Sequence, residues 1–205
     1  MKEIFLTADL HLGSEKTACV FTREDGTKLR PFESAEHQDE ILVQNWNSVV
    51  KPTDKVYVLG DVCMKAKDLK TMLRLNGDKV LVAGNHDIFG AKELLKYFRD
   101  VRAYHVMDRI LFSHVPVHTD SIGRFRANIH GHLHERVVQL ACGKPDPRYL
   151  CVSVEQWSFT PVNYGLLLDL VKINEQCSVL ESNFKLQTKR KPCSLDKNSS
   201  VLAIN

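Results

Sequence analysis

The stretch that decides the fold is Val80-Leu81-Val82-Ala83-Gly84-Asn85-His86-Asp87. Its apolar half has the composition of a buried strand, and Gly-Asn marks a tight turn directly after it. In open α/β sheets, ligands bind beyond the carboxyl ends of the strands. An amide, an imidazole and a carboxylate follow this strand, so the stretch is a candidate functional site. The alternative is a turn in which Asn85 and Asp87 only cap backbone amides.

Further apolar runs separated by turn signals extend the pattern along the chain. They predict strands at residues 3–7, 55–59, 80–83, 101–106, 110–112, 126–130, 137–140 and 149–154. Helices are predicted at residues 67–75, 91–98 and 35–50, the last capped by Ser34. Segment 162–173 fits either a helix or a strand. This order predicts an α/β protein of two stacked sheets with flanking helices, in which 137–140 and 149–154 pair in the second sheet.

Composition indicates one globular domain over residues 1–175, followed by a polar basic tail over residues 176–205. The 205 residues are 43% hydrophobic and 26% charged, enough for one good core. The whole net charge of +3 arises in the tail, and a neutral body argues against a broad nucleic-acid-binding face. The sequence contains no apolar run of membrane length and no C-x-x-C pair, and the apolar stretch before Asp9 is too short for that of a signal peptide. We therefore expect a cytoplasmic protein with reduced thiols and no membrane partner; its oligomeric state stays open.

Side chains that bind metals follow five of the predicted strands. They are Asp9, His11, Asp61, Asn85, His114, His132 and His134. Mixed Asp, His and Asn ligands suit Mn²⁺ best, with Fe, Zn²⁺ and Ni²⁺ as alternatives, and the lack of cysteine disfavours a closed structural zinc site. Seven ligands exceed the needs of one tetrahedral ion, so we expect two divalent ions about 3.5–4 Å apart. Asp61, in the middle of the set, is the natural bridge.

These residues carry a family resemblance. Asp9-Leu10-His11, Gly60-Asp61, Gly84-Asn85-His86-Asp87, His114 and Gly131-His132-Leu133-His134 resemble, in order, the motif series of the calcineurin-like metallophosphoesterase superfamily. The likeness covers residues 2–161, and segments 30–32, 45–47 and 75–77 resemble its small bacterial and phage members. It implies a metallophosphoesterase β-sandwich with αββα layers.

The resemblance also implies roles. The first metal ion would be held by Asp9, His11, Asp61 and His134, and the second by Asp61, Asn85, His114 and His132. A hydroxide bridging the ions would attack phosphorus, and His86 would protonate or stabilise the leaving oxygen. Asn85 could also touch a phosphate oxygen.

The chain departs from the family pattern after the bridging aspartate. Many members read G-D-x-x-D-R, but here Met64 stands where a carboxylate would orient the catalytic histidine, and Lys65 where an arginine would bind phosphate. Asp87 is the alternative partner for orienting His86. Arg124 and Arg126 are candidates for binding a substrate phosphate, with a solvated loop face as the alternative. Arg23 and Arg30, in the long connector 13–32, carry the same ambiguity; connectors of this length are often functional.

The expected function is that of a dinuclear metal-dependent phosphoesterase. Its substrate would be a phosphate monoester or diester of a small or nucleotide-like molecule. A nuclease acting on RNA or DNA is the alternative enzyme, and the neutral body weakens it. A non-catalytic scaffold of the same fold, similar to the retromer scaffold subunit, is the alternative outside enzymes. The complete ligand set and His86 argue against it.

Overall fold

The computed structural model describes residues 2–189, with residues 178–189 described by the backbone alone. Its first sheet has five strands: β1 (Ile4–Thr7), β2 (Lys55–Val58), β3 (Asp78–Val82), β4 (Asp100–Arg102) and, named last in chain order, β9 (Val162–Asn163). The spatial order is β4-β3-β2-β1-β9. Strands β1 to β4 are parallel, and β9 is antiparallel to β1. The sheet is therefore mixed.

The second sheet has four strands: β5 (His105–Met107), β6 (Ile110–Phe112), β7 (Ala127–His130) and β8 (Tyr149–Cys151), in that spatial order. The pair β5–β6 is antiparallel, whereas β6, β7 and β8 run parallel to one another. This sheet is mixed as well.

Three α-helices accompany the sheets: α1 (Ala35–Val49), α2 (Ala91–Leu94) and α3 (Tyr164–Lys189). Shorter turns of π- and 3₁₀-helix occur at Lys16–Val20, Ala66–Arg74, Thr119–Arg124 and Val154–Trp157. Ser34 caps α1 as predicted, since its hydroxyl accepts a 3.1 Å hydrogen bond from the backbone N–H of His37.

Strand alternation divides the core of the first sheet into two faces. Phe5 and Leu81 point to the face that packs against Trp46 of α1. Their neighbours in the strands, such as Leu6, point to the opposite face, which packs against Phe112 of the second sheet. The two sheets are therefore stacked face to face with helices flanking them, which confirms the predicted α/β architecture.

Four local predictions were wrong or incomplete. Segment 101–106 is two strands in different sheets, because exposed Tyr104 lies in the crossing between β4 and β5. Segment 137–140 forms no strand and makes only an isolated bridge between Gln139 and Pro145, because β8 pairs with β7 instead. Segment 67–75 is helical but winds as a 3₁₀-helix. Segment 162–173 contains both β9 and the start of α3.

The predicted tail is described only in part. Helix α3 continues past residue 176 to Lys189, and residues 190–205 lie outside the described residues. No helix between residues 2 and 189 is long and apolar enough to cross a membrane.

Candidate metal centre

The carboxyl ends of the two sheets meet along one edge of the sandwich. Ala8, directly after β1, forms an isolated parallel bridge with Ser153, which follows β8. The Nδ1 atom of His114, after β6, lies 2.8 Å from the carbonyl oxygen of Leu59, after β2. Residues that are far apart in the sequence therefore converge where these strands end.

A first cluster joins Asp9, His11 and His134. One ligand atom of each lies within 4.8 Å of those of the other two. The rings of His11 and His134 stack with centroids 5.3 Å apart. Asp9 is buried, and its Oδ1 atom has no hydrogen-bond partner among residues 2–189. A buried carboxylate oxygen without a partner is costly, and a cation would satisfy it.

A second cluster joins Asp61, His114 and His132 by the same measure. The Oδ1 atom of Asn85 lies 2.9 Å from Nε2 of His114 and 3.0 Å from Nδ1 of His132. All four residues expected around a second ion are thus adjacent. The structure therefore brings together all seven predicted ligands.

Asp61 lies between the two clusters. Its Oδ1 atom is 3.4 Å from Nε2 of His114, and its Oδ2 atom is 3.8 Å from Nε2 of His11. Burial raises the pKa of this carboxyl, but the hydrogen bonds from His114 and from the backbone N–H of His86 outweigh burial and lower the pKa to about 2. The carboxylate is therefore ionised at neutral pH, with one oxygen facing each cluster.

Backbone strain is concentrated in the same residues. Asp9, His11, Asp61, His132 and His134 all adopt positive φ, between 49° and 69°. Residues with a Cβ rarely adopt this conformation, and it costs of order 1–3 kcal/mol at each position. Such outliers persist where the surrounding structure demands them, often at functional sites. Asp9 and His11, and likewise His132 and His134, are two residues apart. Tight turns, rather than an extended backbone, direct both side chains of each pair towards the centre.

Two glycines let the loops approach one another. A Cβ added to Gly84 would lie 2.3 Å from Oδ1 of Asp61, and one added to Gly131 would lie 2.5 Å from the Cβ of Ala8. Both distances are far below van der Waals contact. The close approach of the strand ends at these two positions requires that they lack a side chain.

The charge states of Asp9 and His11 in the first cluster suit a cation. Burial raises the pKa of Asp9 to about 6, because the carboxylate has lost its hydration. Burial and the positive charge of Arg30 lower the pKa of His11 to about 3, so its imidazole is neutral at physiological pH. Neutral imidazole is the form that binds metals, and a bound cation would stabilise the Asp9 carboxylate.

A buried ion pair supports this cluster from behind. Arg30 is fully buried and donates to the carbonyl oxygens of Asp9 and Leu10, at 2.5 and 3.0 Å. It also donates to Oε1 of Gln38 and to Oε1 of Glu155, both at 2.8 Å. Arg30 therefore fixes the turn after β1. Of the two roles considered for Arg30, binding a substrate phosphate or lying on a solvated loop, the structure supports neither, and Arg30 positions the turn instead.

The sequence predictions missed Glu155 and Ser153. Oε1 of Glu155 lies 2.7 Å from Nδ1 of His134, which fixes the ring, and the hydroxyl of Ser153 donates a 2.5 Å hydrogen bond to Oδ2 of Asp9. Carboxylates behind ligating histidines are a common device for orienting them. A signal was present, since the two residues follow a strand with the same two-apart spacing as Asp9 and His11.

His86 lies at the exposed side of the centre, with its side chain 40% exposed. Its Nε2 atom is 3.9 Å from Oδ2 of Asp61, and its ring centroid is 5.6 Å from that of His11. Within the part of the chain that the structure describes, no hydrogen bond orients its ring. Asp87 does not serve this purpose, contrary to the alternative raised above.

The carboxylate of Asp87 instead holds the loops together. It accepts hydrogen bonds from the backbone N–H groups of Asp61, Val62 and Gly84, at 2.8 to 2.9 Å. Met64 points into solvent and is 47% exposed. Asp87 thereby sets the turn that carries Asn85 and His86.

The structure places Arg126 away from the metal clusters, contrary to its predicted substrate role. It precedes β7, whereas His132 follows the same strand, and four residues of strand span about 13 Å. Its guanidinium forms two 2.8 Å hydrogen bonds with Glu175 of α3. Arg124 is exposed on the same side of β7, at the end of a 3₁₀-helix. Both arginines were predicted to bind substrate because they lie close to His132 in the sequence. Strand β7 runs between them and His132, so it places them at its opposite end.

Fold and site together define an α/β protein of two stacked mixed sheets, with two groups of Asp and His that could hold metal ions. The chain is 31% identical over 180 residues to the uncharacterized protein MJ1445 of Methanocaldococcus jannaschii, a match that covers 84% of this chain and 93% of the relative. The chain belongs to the same protein family as MJ1445.

Two further similarities agree with this assignment. The gene 66 protein of Mycobacterium phage D29 is 26% identical over 191 residues, covering 77% of this chain and 90% of that protein. The crystal structure of AQ665 from Aquifex aeolicus, a protein of unknown function, has a TM-score of 0.59 at 24% identity; the match covers 83% of this chain and all of that one, and it concerns the fold alone. No family model matches the chain.

Proposed function

We propose that the protein is a dinuclear metal-dependent phosphoesterase with a metallophosphoesterase sandwich fold. It would hydrolyse phosphate monoesters or diesters of a small or nucleotide-like molecule. The observation that carries the proposal is the position of Asp61, whose two carboxylate oxygens face two separate clusters of metal-binding side chains. A bridging carboxylate between two ions is the arrangement that two-metal hydrolases use.

The donor set fits two hard or intermediate divalent ions. One cluster offers Asp9, His11 and His134, the other offers His114 and His132 with the amide oxygen of Asn85, and Asp61 serves both. Oxygen and imidazole donors without thiolate favour Mn²⁺, with Fe, Zn²⁺ or Ni²⁺ as alternatives. Two such ions would supply hydroxide near neutral pH and stabilise negative charge on the phosphoryl oxygens.

The remaining side chains supply positioning and a proton. His86 is exposed at the mouth of the centre, where its imidazole can reach a leaving oxygen that the buried ligands cannot. Asp87 holds the loop that carries it. Glu155 keeps the tautomer and orientation of His134 constant through its hydrogen bond to Nδ1.

The test combines metal counting with hydrolysis. Protein stripped with a chelator is reconstituted with Mn²⁺ and assayed on bis-p-nitrophenyl phosphate and on p-nitrophenyl phosphate. We expect two ions per chain and Mn²⁺-dependent release of p-nitrophenolate from at least one ester. Asp61→Asn should bind fewer than two ions. His86→Ala should keep both ions and lose about 100-fold or more in kcat, the contribution of a general acid.

The matched control is His118→Ala, because His118 is an exposed histidine outside both clusters. It should match the wild type in metal content and rate. Wild-type protein that holds two ions but hydrolyses neither ester would overturn the proposal and favour a scaffold. Full activity of His86→Ala would remove only the role of His86.

A further inference from the structure

An open groove lies beside the metal centre and shares His134 with it. Its volume is about 1010 Å³, and its walls are segment 21–29 of the long connector and segment 133–139 after β7. A phosphate group alone would fill only a small part of this volume, which lies at the upper end of typical ligand pockets. The groove can therefore hold a large organic substituent attached to a phosphate at the metal centre.

The walls of the groove are apolar in part and include an exposed aromatic ring. Leu29, Leu133 and Val137 line it together with Phe21, a residue that is 48% exposed. An exposed phenylalanine at the edge of a pocket is a platform on which a flat heterocycle can stack.

The charges in the groove favour an electrically neutral substituent. Arg23 is paired with Glu135, and this ion pair joins the two walls. Glu24 and Asp25 add two further carboxylates, so the groove does not favour a second phosphate group. Arg136 is exposed and has no carboxylate partner among the described residues. It follows His134 by two residues, and it lines the same groove as His134.

We infer that this groove is a nucleoside subsite, in which Phe21 stacks on the base and Arg136 contacts the phosphate held at the metal centre. The inference rests on the proposed function and narrows its substrate class to esters that carry a nucleoside. The position of this wall supports the inference, because the side-chain amide of Gln156 donates to the backbone carbonyl oxygens of both His134 and Arg136, at 2.8 and 3.1 Å. The wall that carries Arg136 is thus tied to the ligand His134.

Two esters with the same leaving group test the subsite. Thymidine 5′-(p-nitrophenyl phosphate) and methyl p-nitrophenyl phosphate both release p-nitrophenolate and differ in whether a nucleoside is present. We expect the Mn²⁺-loaded wild type to favour the thymidine ester about tenfold or more in kcat/KM, a typical effect of stacking one base. Phe21→Ala should bring this ratio close to one, mainly through KM. Arg136→Gln should lower kcat/KM for both esters about tenfold and preserve the ratio.

The controls are Tyr104→Ala, another exposed aromatic residue, and Arg124→Gln, another exposed arginine; neither lines the groove. Both should retain the wild-type ratio and rates. Equal kcat/KM for the two esters in the wild type, or an unchanged ratio in Phe21→Ala, would overturn the subsite while leaving the phosphoesterase in place.

A binding measurement separates failure of the subsite from failure of the proposed function. Calorimetry compares thymidine 5′-monophosphate with methyl phosphate on the Mn²⁺-loaded protein. If neither ester is hydrolysed, the proposed function fails, and binding decides the subsite by itself. Tighter binding of the nucleotide that Phe21→Ala abolishes would support it, and equal binding of the two phosphates would overturn it.

Discussion

Replacing Glu155 by glutamine tests whether the buried carboxylate positions a metal ligand. Burial raises the pKa of Glu155, but the charges of Arg30 and His134 outweigh burial and lower it to about 2. The group is therefore a carboxylate at any pH used for metal binding. Its Oε1 atom lies 2.7 Å from Nδ1 of His134, so Glu155→Gln converts a charge-assisted hydrogen bond into a neutral one of similar shape.

The expected loss can be worked out from that one bond. Hydrogen bonds to a charged group contribute about 1.5–3 kcal/mol and neutral ones about 0.5–1.5 kcal/mol, so the middle values differ by about 1.3 kcal/mol, close to tenfold in affinity. Removing a carboxylate that orients a metal-binding histidine lowers metal affinity by up to about 100-fold. We therefore expect Mn²⁺ to bind about 10–100-fold more weakly to the first cluster, with the second cluster little changed.

The fold should survive the substitution. Arg30 keeps its bonds to Asp9, Leu10 and Gln38. Loss of one partner of a buried pair costs about 3–5 kcal/mol, at or below the lower end of the 5–15 kcal/mol that stabilises a typical domain. Thermal denaturation of the metal-free protein checks this directly.

Titration calorimetry with Mn²⁺ at pH 7 measures the effect. Glu175→Gln is the matched control, since it removes a carboxylate paired with an arginine on the exposed side of α3, and it should leave Mn²⁺ binding unchanged. A folded Glu155→Gln protein that binds Mn²⁺ within twofold of the wild type would refute the positioning role.

Three further predictions follow from single contacts. In Gly84→Ala the new Cβ would lie 2.3 Å from Oδ1 of Asp61, so we expect fewer than two bound Mn²⁺ ions by metal analysis; an unchanged count would contradict this. Burial raises the pKa of Asp39 to about 6, so the folded protein binds its proton more tightly than the unfolded chain. Wild-type stability should therefore fall relative to Asp39→Asn as pH rises from about 4 to 6, and parallel urea midpoints across this range would disprove it. Ser34→Ala removes the cap of α1 and should cost about 1 kcal/mol, a fall of roughly 2–4 °C in Tm by calorimetry with metal content unchanged.

Local pattern in the sequence was sufficient to predict most strands and the candidate ligands that the structure brings together. Apolar runs ending in Gly-Asp or Gly-Asn placed β2 and β3, and Ser34 placed the start of α1. Each of these signals acts over a few residues, through turn chemistry or capping, so the chain displays it directly. The candidate ligands could be recognised for the same reason, because Asp, His and Asn recur directly after apolar strands.

Sequence order was misleading wherever a contact depended on strand pairing. Residues 137–140 were predicted to form a strand that pairs with residues 149–154. In the structure β8 pairs with β7 instead. Arg126 lies six residues before His132, yet β7 separates them along its length. Neither the partner with which a strand pairs nor the distance that the strand puts between its two ends and the site follows from local sequence.

The sequence by itself determined the order of the candidate ligands and the strand ends that carry them. Only the tertiary structure decided that Asp61 lies between two clusters and that Arg30 and Glu155 support one of them. It also decided that the connector containing Phe21 forms one side of a groove beside His134. The physical reason is that these relations are made between strand ends more than a hundred residues apart in some cases, such as Asp9 and Ser153. Stacking of the two sheets sets those distances, and that stacking depends on the whole core.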